Sequence, residues 1–123
     1  MGCRGIVFWK DAPLVAAGGA LGAVARFSVS TALPRMVFPW HTLLVNLAGS
    51  FLLGFAILDS GMEHPTRLWF AVGFLGAFTT LSTYSVETVD LWRSGHVRVA
   101  VANALANGLG GPLLALVGWK LRA

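Results

Sequence analysis

The stretch GFLGAFTTLSTYS at residues 73–85 lies inside an apolar segment, yet its residues are poor helix formers. Thr79, Thr80, Ser82, Thr83 and Ser85 carry aliphatic hydroxyls, and Tyr84 adds a phenol. Glycines, β-branched residues and hydroxyls that compete for backbone hydrogen bonds all weaken a helix. At membrane depth a broken helix is tolerated only where the freed backbone is buried in protein or lines a cavity. Its loosened carbonyls are then suitable ligands for a cation such as Na⁺. The alternative is a polar helix that stays intact.

The rest of the chain supplies the membrane setting. Of 123 residues, 56% are hydrophobic and only 11% are charged, against roughly 25% charged in an average soluble domain. Mean hydropathy is +0.73. A spanning helix needs about 20 residues, so four spans nearly exhaust the chain. The expected fold is all-α and integral to the membrane: one domain over residues 1–123, with helices at about 12–33, 41–58, 68–92 and 97–119. The third of these is expected to be broken in mid-membrane. Pro34 ends the first, because proline disfavours helix at the residue before it, and Gly110-Gly111-Pro112 allows a kink in the fourth.

Several function classes drop out. No aqueous domain remains to house an active site, and no H-E-x-x-H, G-x-S-x-G or phosphate-loop pattern occurs, so the chain is not read as an enzyme. His41, His64 and His96 all fall near span ends. Cys3 is the only cysteine, which excludes a disulfide framework and a thiolate metal site. Met1-Gly2-Cys3 is followed by Ile6 where a myristoylation signal wants Ser or Thr. Asp11 and Pro13 interrupt what a signal peptide would keep apolar. The net charge of +4 comes from basic residues standing singly at segment ends. That pattern flanks membrane spans and does not form a nucleic-acid groove.

Gly18 and Gly22, and Ala104 and Gly108, are small residues spaced by four, which lets helix backbones approach closely. With four spans, Arg4, Lys10, Arg67, Lys120 and Arg122 share one side of the membrane. Arg35, Arg93 and Arg98, with Arg26 if it counts toward its nearer end, share the other. Lys/Arg asymmetry sets orientation, and here it is feeble. The chain can therefore insert both ways up, and two opposite copies can pair about a twofold axis in the membrane plane.

Thr42, Asn46 and Ser50 are spaced by four and share one helical face. They read either as interhelical hydrogen bonding or as donors lining a path for a dehydrating anion. Asn103 and Asn107 share a face in the same way, with the same two readings. Arg26 is the basic residue well inside a span, where snorkelling to the interface is the plainer role. Glu87 and Asp90 lie beyond Tyr84, near a span end, where a carboxylate suits a structural or vestibule position.

Three segments together resemble the Fluc (CrcB) family of fluoride channels. Gly18 to Arg26 is similar to its first-helix signature, Thr42 to Gly54 to its second-helix motif, and Gly73 to Glu87 to its third-helix motif with the hydroxyl-rich break. The resemblance implies a dual-topology antiparallel homodimer with two fluoride pores. It also implies a central structural Na⁺ held by the main-chain carbonyls of Gly76 and Thr79 from both subunits. Asn46, with Thr42 nearby, becomes the pore amide. Leu81 and Tyr84 stand where the family has pore phenylalanines, Arg26 matches its arginine, and Glu87 its acidic residue. His41 stands where glycine is usual. A phenylalanine offers an electropositive ring edge to an anion; Leu81 loses that contact, while Tyr84 keeps a ring and adds a hydroxyl.

The expected function is passive export of toxic fluoride across a bacterial inner membrane, in contact with membrane lipid and without nucleic acid. Candidate pore residues are Asn46, Thr42, Leu81, Tyr84, Ser82, Thr83, Asn103 and Asn107, with Arg26 and Glu87 as structural or vestibule residues. A second, paralogous subunit could supply part of the pore. The rival readings are a small multidrug-type proton antiporter and a non-transporting membrane scaffold subunit.

Overall fold

Long apolar runs become long helices, Pro13 and Pro112 lying inside two of them. The computed structural model describes residues 7–58 and 61–122. Among these no strand occurs, and three helices are long and apolar enough to cross a membrane: α1 (Phe8–Ala32), α2 (Trp40–Ile57) and α6 (Val97–Arg122). Met1, Gly2, Cys3, Arg4 and Ile6, which entered the lipidation and charge-bias readings, lie outside the described residues. So do Asp59 and Ser60 of the turn after α2. Helix α1 begins four residues before the expected position 12 and so takes in Asp11. That carboxylate accepts the Val7 N–H at 3.0 Å, closing the helix start, and its other oxygen lies 3.2 Å from His64 Nε2. Leu33, extended before Pro34, ends α1. Helix α6 runs through Pro112 without interruption.

The segment expected as a third span over 68–92 is four pieces, beginning at His64. One turn, α3 (His64–Thr66), opens into a π-helical stretch at Arg67–Leu75, followed by α4 (Gly76–Phe78). Within the stretch the Gly76 N–H reaches the Ala71 carbonyl, a step of five. Thr79 (ψ 157) and Thr80 (φ −150, ψ 115) then adopt extended backbone, and α5 (Leu81–Arg93) starts afresh. The interruption therefore falls at Thr79–Thr80, within the hydroxyl-rich stretch where a break is expected.

Packing explains the glycines. A Cβ on Gly18 would overlap the Trp69 carbonyl oxygen, and one on Gly22 the Phe74 carbonyl oxygen. Helix α1 thus lies backbone-to-backbone on the π-helical stretch, the close approach that small residues permit. Helices α2 and α6 form the second tight pair. A Cβ on Gly54 would overlap the Ala115 carbonyl oxygen, and one on Gly118 that of Phe51. The Ala104–Gly108 pair does not do this work within the chain: Gly108 is exposed, with nothing within 4 Å of its Cβ position. The tight face of α6 is carried by Gly118 instead.

Helix α5 reverses into α6 through a glycine-terminated cap. Gly95 takes φ 89, its N–H reaches the Trp92 carbonyl, and the His96 N–H reaches that of Leu91. This is the paired-bond arrangement that ends helices at an αL residue. It folds α6 back along α5, so that Asn103 meets Thr88 and the polar residues of three helices converge.

Gly22→Val should lower the unfolding midpoint of the purified protein in mixed micelles, by about 2 kcal/mol or more for forced overpacking. Gly108→Ala, at an open position, should stay within about 0.5 kcal/mol of the parent. Equal effects would contradict the backbone contact at Gly22.

Candidate functional site

The interruption at Thr79–Thr80 is held by one side chain from a different helix. The Thr80 N–H donates to Asn46 Oδ1 at 2.7 Å, and Asn46 Nδ2 donates to the Thr80 carbonyl at 3.0 Å. The amide of Asn46 thus pairs with the backbone of Thr80 through two bonds, one in each direction. In a continuous helix the Thr80 N–H would serve the Gly76 carbonyl; here it serves Asn46. Likewise the Thr83 N–H, which would serve the Thr79 carbonyl, donates to Thr80 Oγ1 at 3.1 Å. Thr80 is the N-cap of α5, the position where a hydroxyl accepts from the third helical residue. The Gly76 and Thr79 carbonyls therefore lose their α-helical donors together. The Thr79 hydroxyl turns back to the Leu75 carbonyl at 3.1 Å, and that of Thr80 donates to Thr83 Oγ1 at 2.9 Å.

Behind the clamp runs a chain of amides. The second Asn46 N–H donates to Asn107 Oδ1 at 2.8 Å. Asn107 Nδ2 lies 3.0 Å from both the side-chain and main-chain oxygens of Asn103. Asn103 Nδ2 donates to Thr88 Oγ1 at 2.9 Å, and Thr88 donates to the Tyr84 carbonyl at 2.7 Å. Asn103 and Asn107 are buried. Every donor in the chain points the same way, from α2 through α6 to α5. Of this series Thr88 carries no signal in the sequence, and Thr80, named there only among the helix-weakening hydroxyls, has an i to i+3 spacing to Thr83 that marks a cap.

A second polar cluster lies one turn up α2. Thr42 Oγ1, buried, donates to Glu87 Oε1 at 2.8 Å, and His41 Nε2 lies 3.2 Å from the same oxygen. The other oxygen, Oε2, is buried without a protein partner. An open cavity of about 820 Å³ reaches this cluster, lined among others by Arg26, Arg35, His41, Thr80, Glu87 and Asp90. Arg26 thus shares a cavity with Glu87.

The remaining candidates lie on the outer side of the break. Leu81 is 75% exposed, Ser82 and Thr83 are exposed, and Tyr84 is half-buried. Gly76 is exposed and Thr79 half-buried. The structure therefore brings Asn46, Asn103 and Asn107 together at the break, sets Thr42 and Glu87 beside it, and leaves Leu81 to Thr83 on the surface of the chain. No group of three or more His, Cys, Asp or Glu able to hold a metal occurs among the described residues.

Fold and site together define an all-helical, multi-pass membrane protein organised around an interrupted helix and a buried amide network. Residues 13–119 match the family described as CrcB-like protein, Camphor Resistance (CrcB), and the chain belongs to that family. It is 50% identical over 99 residues to a protein of Saccharophagus degradans named fluoride-specific ion channel FluC, covering 76% of this chain and 74% of the relative. It is 46% identical over 102 residues to fluoride-specific ion channel FluC 2 of Haloarcula marismortui, covering 83% and 85%. A Thermus thermophilus protein, also named fluoride-specific ion channel FluC, is 41% identical over 114 residues, covering 88% and 90%.

A double-mutant cycle on Asn46→Ala and Asn107→Ala should show a coupling of about 0.5–1.5 kcal/mol in stability, the range of side-chain hydrogen bonds between membrane helices. Additive effects would mean that the Asn46–Asn107 bond does not join α2 to α6.

Proposed function

We propose that this chain is a fluoride-selective channel that exports fluoride passively across the bacterial inner membrane. The observation that carries the reading is the match over residues 13–119, with relatives named as fluoride-specific ion channels, to a chain whose break is lined by hydrogen-bond donors. Those relatives are named as channels and not as enzymes. HF enters cells at acidic pH and dissociates, and the trapped anion then needs an exit that requires no ATP.

On this reading the segment from His64 to Arg93 crosses the membrane as a fourth, broken span. Two copies pair antiparallel, each exposing its Gly76 and Thr79 carbonyls toward the other. The residues fit a Na⁺: both carbonyls have lost their α-helical donors, and the Thr79 and Thr80 hydroxyls are turned elsewhere. When bound there, Na⁺ would supply oxygen-satisfying positive charge at the subunit junction.

The chain's own residues do the rest. Fluoride gives up hydration only against replacement donors. The Thr83 hydroxyl accepts from Thr80 and so keeps its own hydrogen to give; the Ser82 hydroxyl and the Tyr84 phenol add further donors. Leu81 narrows the path without a polar contact. Both Asn46 N–H groups are already engaged. For Asn46 to serve fluoride, the bond to the Asn107 side chain opens, because the bond to Thr80 main chain fixes the break. Asn103 and Asn107 stand behind the path and set the amide's orientation.

Proteoliposomes containing only this chain should release fluoride and not chloride, read with a fluoride electrode, and replacing Na⁺ by a large organic cation should abolish the release. Asn46→Leu should abolish it as well, with a separate loss of stability. No fluoride release from well-folded protein in Na⁺ would refute the channel. Release that is indifferent to Na⁺ would refute the cation site.

Antiparallel pairing has its own check. Adding two or three lysines to one terminus should fix a single orientation and lower activity when that version is expressed alone. Coexpression with an oppositely biased copy should restore it. Full activity from the single-orientation version would contradict antiparallel pairing.

A further inference from the structure

His41, in the first turn of α2, lines the 820 Å³ cavity, half-buried, with Nε2 3.2 Å from Glu87 Oε1. That oxygen also accepts from Thr42 at 2.8 Å, while Oε2 has no protein partner and is shut away from solvent. Glu87 is thus pinned by one oxygen, and its charge bears directly on any anion passing Thr42. The other charged groups lining the cavity are Arg26 from α1, Arg35 from the α1–α2 connection and Asp90 from α5. Two cations therefore oppose two carboxylates around the cavity, and the charge on His41 decides its sign.

Histidine is the side-chain type whose ordinary change of charge falls between about pH 5 and 8. A neutral imidazole with its hydrogen on Nε2 donates to the carboxylate just as an imidazolium does. The contact therefore keeps its geometry in both states, and only the charge changes. With His41 neutral, Glu87 presents its negative charge to an approaching anion. With His41 protonated, that charge is offset and the cavity turns positive, which concentrates anions at its mouth.

We propose that His41 is a proton-controlled positioning residue that holds Glu87 and sets the charge of the pore mouth, so that fluoride conduction rises as pH falls. The inference rests on the channel reading above. It ties export to the condition that loads cells with fluoride, since HF entry is greatest in acid. The neutral partners of the cluster do not share this property: Thr42 and Thr80 hold no proton that leaves in this range.

The test is fluoride efflux from proteoliposomes at pH about 6 and about 8, with the leak of protein-free vesicles subtracted. The parent protein should conduct roughly tenfold faster at the lower pH, the low end of what charge at a cleft does to ion access. His41→Gln keeps an N–H toward Glu87 but cannot titrate, and should conduct at one slow rate at both pH values. His41→Lys carries a fixed charge and should conduct at one fast rate at both. The two variants thus move in opposite directions, which a merely structural role would not produce, and either alone suffices if the other fails to fold. Equal parent rates at both pH values, or a pH response surviving in either variant, would overturn the role of His41 while leaving the channel standing. Absence of fluoride efflux at every pH would overturn the channel reading, and this inference with it.

Discussion

The reciprocal pair between the Asn46 amide and the Thr80 backbone is the constraint on which the rest depends. An unsatisfied peptide group in the bilayer interior costs several kcal/mol, so a helix cannot be opened there unless something replaces its lost bonds. Asn46 takes up the Thr80 N–H and donates to the Thr80 carbonyl, a side-chain amide meeting a peptide group, at 2.7 and 3.0 Å. The pair holds Thr80 extended, Thr80 in turn caps α5, and the Gly76 and Thr79 carbonyls are relieved of their helical donors as a direct consequence. One side chain thereby converts a hydroxyl-rich sequence into a defined interruption.

A clamp of this kind must itself be placed accurately. Asn46 is held from behind by Asn107, Asn107 by Asn103, and Asn103 by Thr88 on the same helix that the clamp initiates. The loop of bonds runs from α2 to α6 to α5 and returns through Thr80 to α2. Around it, the glycine contacts of α1 with residues 67–75 and of α2 with α6 fix the backbone spacing that lets such short side chains meet. Packing and polar network are therefore one device. Loosening the helix pairs would misplace the amide that holds the break.

Much of this was legible in the chain, and the parts that were not share a cause. The glycines and stacked hydroxyls of residues 73–85 announce an interruption because they disfavour helix locally, wherever they are. Its position at Thr79–Thr80 is set by a partner 34 residues away, which local composition does not contain. The Thr42, Asn46 and Ser50 spacing marks a polar face without saying what it meets. The small pair at Ala104 and Gly108 likewise gives a face without a direction, and within the chain Gly118 takes the close contact instead. The π-helical stretch at Arg67–Leu75 has no periodicity signal distinct from an α-helix over so few residues. His41 lies in the first turn of α2 and Glu87 at the middle of α5, and their meeting is a product of tertiary structure alone.

The claim most central to this account is that the clamp frees the Gly76 and Thr79 carbonyls to act as ligands. Carbonyl ¹³C labels at Gly76 and Thr79, with Leu75 as reference, followed by solid-state NMR in lipid while Na⁺ is exchanged for a large organic cation, read those groups directly. The account predicts that the Gly76 and Thr79 resonances move together on exchange and that Leu75 stays put. Resonances of Gly76 and Thr79 that hold their place, as fixed as that of Leu75, would contradict it.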